Sequence, residues 1–133
     1  MEKGIIIVDK LMPTGLKANI CAVLEMTLGK SNPEIVGADL LTKDQKPISG
    51  ITQIPLPILQ SSSDRLGEIF LENQSADLLL VVFDESALTT KTYPDFQEKL
   101  SSVHSSQLRI HGLLAYGPRK VINKISAELP LLK

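Results

Sequence analysis

Residues 113–125 read LLAYGPRKVINKI, and this stretch carries more structural information than any other part of the sequence. An apolar run ends at Gly117-Pro118, and apolar residues with helical spacing follow at once. This order predicts a buried strand that enters a helix through a minimal turn, with Pro118 at the first helical position, where no amide hydrogen is needed. The free amides of such a helix start, with Arg119 and Lys120 beside them, are typical of an anion site.

The rest of the chain repeats the order of strand and helix. Two more apolar runs, at residues 4–8 and 78–83, indicate strands buried on both faces, and a third covers 108–116. Helical spacing and capping residues predict helices over residues 16–28, 61–73 and 92–103. We therefore expect an α/β fold of three layers, with a mixed, mostly parallel sheet of about four strands and helices on both faces.

The middle of the chain has weaker signals. Residues 34–42 and 48–54 predict two antiparallel strands joined by a polar turn. Pro55 and Pro57 interrupt this region, and because proline cannot donate to a ladder, these strands are expected at a sheet edge.

Size and composition limit the class of protein. A chain of 133 residues, 43% of them hydrophobic, predicts a single domain over residues 1–133 that needs no disulfide. One cysteine, Cys21, and two histidines are too few for a disulfide framework or a zinc site, so we expect neither metal nor cofactor. The apolar run at residues 5–8 is too short for a signal peptide or a membrane span. We expect a soluble, cytoplasmic protein with no membrane partner.

Charge and aromatic content argue against a general nucleic-acid binder. The net charge is −1, and the chain has no Trp, two Tyr and three Phe. No global positive field attracts nucleic acid, and too few aromatic rings are available to stack on bases. A local basic patch remains open, so tRNA is a possible partner that we do not favour.

Polar residues follow each buried strand and form the candidate site. The junctions are Asp9-Lys10, Asp84-Glu85 and Gly117 to Lys120. If the three strands are parallel, all three junctions lie on one rim of the sheet, where ligands of open α/β sheets bind. The predicted ligand-binding set, with Lys17 added from the first helix, is Asp9, Lys10, Lys17, Asp84, Gly117, Arg119 and Lys120. The alternative is that these residues are only the solvated ends of strands.

Single residues within this set have competing interpretations. Lys10 and Lys17 have the chemistry to bind phosphate or polarise an ester carbonyl, or are simply solvated charges. Asp84 has the chemistry to orient a water molecule, or caps the next helical turn. We interpret Cys21 as a packed thiol rather than a nucleophile, and His111, within the third strand, as a hydrogen-bonded sheet residue rather than a base.

Two motifs at the ends of the chain resemble type II peptidyl-tRNA hydrolases. Near the start they are Ile6-Ile7-Val8-Asp9-Lys10-Leu11-Met12 and Gly15-Leu16-Lys17-Ala18; near the end they are Leu114-Ala115-Tyr116-Gly117-Pro118 and Val121-Ile122-Asn123-Lys124-Ile125. The chain as a whole is more similar to an uncharacterised bacterial set, the domain-of-unknown-function 2000 family. The resemblance implies the fold of those hydrolases and a dimer.

The hydrolase site is only partly kept. The slot of the functional lysine is Leu16, with Lys17 one residue later, and two polar positions of the hydrolases are Ile20 and Val23. Of that polar set only Asp84 keeps its place, so the resemblance implies the fold more strongly than the activity.

Three hypotheses follow. The first is a domain, catalytic or not, that binds a small anionic ligand at the carboxyl-end rim. The second is an ester hydrolase on peptidyl- or aminoacyl-tRNA, with Lys17 and Asp84 as the catalytic candidates. The third is a structural or regulatory homodimer.

Overall fold

Strand β1 (Glu2–Asp9) lies inside a four-stranded sheet in the computed structural model, which describes residues 1–133. Its neighbours are β4 (Ile58–Ser61) on one side and β6 (Ile110–Pro118) on the other, and β5 (Leu79–Asp84) pairs with the far edge of β6. The run from Ile5 to Val8 is buried, as expected of a strand covered on both faces.

Helices cover both faces of this sheet, as the sequence predicts. Helix α1 (Thr14–Ser31) packs on one face, and α2 (Ser63–Glu72) and α5 (Arg119–Ser126) pack on the other. Successive residues of β1 alternate between the two apolar cores: Ile5 and Ile7 face α2 and α5, whereas Ile6 and Val8 face α1. None of the helices is both long and apolar enough to cross a bilayer.

The mixed sheet of four strands is as predicted, and β1, β4 and β5 run in one direction, but the predicted parallel direction of β6 is wrong. β1 pairs in parallel with β4, but β6 runs antiparallel to both β1 and β5, so two of the three pairings are antiparallel. The cause is the connection between β5 and β6, which contains α3 (Glu85–Leu88) and α4 (Tyr93–Ser101). The main contacts of helix α4 are with α3, and β6 begins at the end of the sheet where β5 ends. The helices between β5 and β6 therefore do not form a crossover connection between parallel strands.

The prediction for residues 34–57 is also corrected. The strands there are short, β2 (Leu40–Leu41) and β3 (Pro47–Ile48), and they form a separate two-stranded sheet. Their antiparallel pairing is as predicted, but the edge of the main sheet is formed by β4, which the sequence did not indicate. β4 is only four residues long and follows two prolines, so its own pattern is too short to identify it.

The predicted turn at the end of the third strand is shifted by one residue. Pro118 is still paired with Glu2, and the helix begins at Arg119. The amide of Arg119 donates a hydrogen bond to the carbonyl of Met1 over 3.0 Å. One of the amides expected to hold an anion is therefore already occupied.

Gly112 marks the closest approach of helix α1 to the sheet. A Cβ atom at this position would lie 2.2 Å from Cγ2 of Ile20, a buried residue of α1. We predict that Gly112→Ala lowers the free energy of unfolding by about 2–3 kcal/mol, because the helix or the strand must shift to relieve the overlap. Urea unfolding followed by circular dichroism measures this.

The matched control is Gly29→Ala, in the last turns of α1, where no atom lies within 4 Å of the added Cβ. This substitution is expected to stabilise the protein by about 0.5–1 kcal/mol, because alanine favours the helix over glycine. Equal effects of the two substitutions would contradict the packing described here.

Candidate active site at the carboxyl edge of the sheet

The polar residues of interest lie at the edge of the sheet where β1, β4 and β5 end and β6 begins; we call it the carboxyl edge. A β-bulge interrupts the pairing of β5 with β6 there: Phe83 pairs with Gly112 and the next residue, Asp84, pairs with Ile110. His111 is the extra residue. In an unbroken strand, residues three positions apart point to opposite faces of the sheet. Because of the bulge, Ile110 and Leu113 instead face the same core. The bulge therefore redirects the His111 side chain.

His111 lies between two carboxylates. Its Nδ1 is 2.9 Å from Oδ2 of Asp9, at the end of β1, and its Nε2 is 3.1 Å from Oε1 of Glu85, at the start of α3. His111 is 1% exposed and Asp9 is 3% exposed, whereas 35% of the Glu85 side chain is exposed. We call Asp9, His111 and Glu85 the carboxylate–histidine array. It runs from the interior to the surface.

A further hydrogen bond holds Asp9, at the inner end of the array. The second oxygen of Asp9, Oδ1, accepts from the backbone amide of Leu11 over 3.0 Å. No buried side-chain nitrogen or oxygen in the protein lacks a partner. A main-chain donor therefore holds the Asp9 carboxylate in the orientation in which its other oxygen contacts the His111 ring.

Counting donors and acceptors restricts the protonation of the array. An ionised carboxylate only accepts hydrogen bonds, and a neutral imidazole has one donor and one acceptor nitrogen. Two ionised carboxylates therefore require the doubly protonated imidazolium, and a neutral ring requires a proton on one carboxyl group. In either form two protons occupy the two hydrogen bonds, and the array has a net charge of −1.

Asp84 lies beside the array but takes part in a different hydrogen bond. Its Oδ2 accepts a hydrogen bond from the backbone amide of Ser86 over 3.2 Å, and it is the N-cap of α3. This agrees with the interpretation of Asp84 as a cap. Because the cap fixes the first turn of α3, Asp84 also fixes the backbone from which Glu85 extends.

The structure separates the residues that the sequence placed on one rim. Asp9 and Asp84 lie at the carboxyl edge, and exposed Lys10 follows Asp9 there. Gly117, Arg119 and Lys120 lie at the opposite edge, because Gly117 pairs with Lys3 near the start of β1. The single rim is therefore wrong, and the reason is the antiparallel direction of β6.

Lys17 occupies a third place. It lines a cavity of about 420 Å³ beside α1, together with Thr14, Cys21, Glu25 and Lys133. Burial, and then the negative charge of Glu25, raise the pKa of the Cys21 thiol. The thiolate is disfavoured, which agrees with the interpretation of Cys21 as a packed thiol.

Sequence reasoning did not assign a chemical role to His111 or Glu85. His111 is a hydrogen-bonded sheet residue, as interpreted, but both of its partners are carboxylates from distant positions in the chain. The signal that would find them is the register of β1 on β6, in which Val8 opposite Gly112 brings Asp9 next to His111. No three His, Cys, Asp or Glu side chains are arranged to hold a metal ion.

Comparison with known proteins gives a family but no activity. The family model described as "Protein of unknown function (DUF2000)" matches residues 2–133. A solved structure of a protein of unknown function, Atu0240 from Agrobacterium tumefaciens str. C58, is similar with a TM-score of 0.92 and 17% sequence identity. The similarity covers 99% of this chain and 98% of that chain, and at this identity it shows the fold alone. No curated protein matches. Since the family model spans the chain from its second residue to its last, the protein belongs to the DUF2000 family of proteins of unknown function.

Proposed function

We propose that the protein catalyses an acid–base reaction on a small substrate, with Glu85 in contact with the substrate. The observation that carries this proposal is the position of His111, buried and in contact with Asp9 at 2.9 Å and with Glu85 at 3.1 Å. Proton transfer by a positioned side chain accelerates reactions by about 10²–10⁴-fold, and it requires a base or acid with access to the substrate. Glu85 has that access.

Burial supports a chemical role for the array over a purely structural one. Taking two ionisable groups, Asp9 and His111, out of water costs several kcal/mol per ion, and apolar residues of similar volume commonly replace a buried ion pair without loss of stability. The surrounding sheet residues Ile7 and Leu113 show that this core accepts large aliphatic side chains. Stability alone therefore gives little reason to keep Asp9 and His111.

The three residues have different roles in this proposal. Glu85 uses Oε1 to contact His111, and its second oxygen has no partner in the protein, so Oε2 is free to take a proton from the substrate or from water. His111 holds Glu85 and shares its proton. Asp9 fixes the ring orientation through Nδ1, as a carboxylate does behind a catalytic histidine. His111 and Asp9 are positioning residues.

The nearest cavity that could receive a substrate is small and polar. It has a volume of about 230 Å³ and is lined by residues that include Ser63 and Arg109. Arg109 accepts a backbone hydrogen bond from Glu85, and Ser63 donates to the carbonyl of Ile110, so this cavity adjoins the array. Two carboxylates, Asp64 and Glu68, line it as well, so the cavity fits a small polar substrate with a carbonyl group better than an anion.

Ester hydrolysis is the reaction to test first. It is implied by the resemblance to type II peptidyl-tRNA hydrolases, and it needs a base that activates water. Glu85 takes the role that Asp84 was assigned from the sequence, because Asp84 is buried and occupied as a cap. For the tRNA form of the reaction, the minimum requirement is binding to deacylated tRNA that weakens steeply with salt.

Substitution of Glu85 tests its role as the base. On p-nitrophenyl acetate, p-nitrophenyl butyrate and N-acetyl-aminoacyl-tRNA, we expect Glu85→Gln to lower kcat about 100-fold or more, because the amide cannot take a proton. Asp9→Asn is expected to lower kcat about tenfold or more with KM unchanged, since the ring remains but loses its orientation. Initial rates measured across substrate concentrations give both constants.

The control is Glu98→Gln, which removes the same charge at an exposed residue of α4 that makes no hydrogen bond or ion pair with the array. It should leave kcat at the wild-type value. Wild-type protein that hydrolyses none of these esters would contradict ester hydrolysis, and Glu85→Gln at the full wild-type rate would contradict the role of Glu85.

A second candidate function is binding of a small anion next to Lys17. The cavity of about 420 Å³ there is lined by two ammonium groups, from Lys17 and Lys133, against one carboxylate, Glu25, and its apolar lining includes Ile58 and Leu132. An apolar cavity with a few polar groups is the usual form of a small-molecule site. This keeps the anionic ligand expected from the sequence but moves it away from Asp9 and Asp84, whose negative charges oppose it.

We expect inorganic phosphate to shift the amide resonances of residues 14–25 in nitrogen–proton correlation spectra, and Lys17→Gln to weaken this binding about tenfold or more through loss of a charged donor. Lys30→Gln, on the same helix but outside the cavity, is the control. Identical titrations for wild-type protein and Lys17→Gln would exclude this site.

Homodimerisation stays a prediction, and one surface supports it. The arm formed by β2, β3 and the residues around them exposes Leu40, Leu41, Ile48 and Ile51, the last of them 79% exposed. An isolated two-stranded sheet is marginally stable in water, so contact with a second copy would stabilise it. Sedimentation velocity at high protein concentration should show a dimer, and a monomer throughout would count against it.

A further inference from the structure

A second groove lies away from the array, between α2 and α5. Two adjoining cavities of about 480 Å³ and 430 Å³ share Arg65, Lys124 and Ile125 in their walls, so they are consecutive parts of one groove. Its floor is apolar, with Ile69 from α2 and Ile125 from α5. We call it the α2/α5 groove.

The walls of the α2/α5 groove carry charges of both signs. Arg65, Lys120 and Lys124 line it, against the acidic residues Glu72 and Glu128. Arg65 already contacts Glu68 at 3.0 Å and Glu72 at 3.3 Å, which leaves the two lysines without an acidic partner. Both ammonium groups are therefore available to contact a ligand.

The two lysines are also neighbours on one helix face. Lys120 and Lys124 are four residues apart in α5, and like charges at this spacing repel each other. An anion between them removes the repulsion and accepts hydrogen bonds from both.

From this arrangement we propose that the α2/α5 groove binds a ligand with an anionic head and an apolar body. The head, a phosphate or carboxylate group, contacts Lys120 and Lys124, and the body lies on Ile69 and Ile125. Lys120 therefore belongs to this groove rather than to a site with Asp9 and Asp84. The groove and the carboxylate–histidine array are separate sites, so Glu85→Gln should leave binding here unchanged.

Nitrogen–proton correlation spectra of the whole protein, titrated with phenyl phosphate, test the proposal. We expect saturable shifts at residues 69–76 and 120–125, and weaker shifts there with inorganic phosphate, which lacks the apolar body. The double variant Lys120→Gln/Lys124→Gln should bind phenyl phosphate about tenfold more weakly or worse, because two charged donors are lost. The spectrum itself reports that the variant is folded.

The matched control is Lys43→Gln/Lys46→Gln, which removes the same net charge from the exposed arm. It should bind phenyl phosphate as the wild-type protein does. Three results would overturn the proposal: no saturable binding at millimolar concentrations, equal weakening in both double variants, or shifts confined to residues 14–25 beside Lys17.

Discussion

The antiparallel pairing of β1 with β6 is the constraint on which the site depends. It runs from Glu2 opposite Pro118 to Val8 opposite Gly112, and both strands are buried along most of this length. Because backbone donors and acceptors in a dry interior must be paired, this ladder admits no shift in register. The fixed register places Asp9 next to His111 and sends residues 117–120 to the opposite edge.

The bulge in β6 gives this constraint a chemical consequence. A regular ladder would continue the alternation of apolar side chains, whereas the extra residue breaks it at His111 and leaves room for a polar ring between β1 and β5. Gly112, next to the bulge, lets α1 approach so closely that a side chain there would meet Ile20. Two adjacent residues therefore have different effects: Gly112 sets the packing of α1 on the sheet, and His111 supplies the polar group at the carboxyl edge.

Much of the fold could be predicted from the sequence, since it rests on local patterns. The three buried strands, the helices on both faces and the cap at Asp84 all follow from the spacing and type of neighbouring residues. Strand direction and the edge strand β4 did not follow, because they depend on where a connection returns and on a partner distant in sequence.

The same distinction separates the predicted site from the observed one. Asp9 and Asp84 could be identified because both end buried strands, but the contact of Asp9 with His111 joins residues 102 positions apart. The basic residues were grouped on the assumption of parallel strands, and the structure places Lys17 at its own cavity and Lys120 in the α2/α5 groove, whereas Lys10 stays beside Asp9. The role of each basic residue therefore follows from the side chains around it in the fold rather than from its position after a strand.

The most direct test of the account is the state of the protons on the His111 ring. Nitrogen-15 spectra of the imidazole groups resolve two histidines, and His104, exposed and outside the sheet, is an internal reference. The account predicts a ring N–H of His111 that exchanges slowly with solvent and disappears in Asp9→Asn, while the His104 ring exchanges fast. A His111 ring proton that exchanges as fast as that of His104 would contradict a buried histidine held between Asp9 and Glu85.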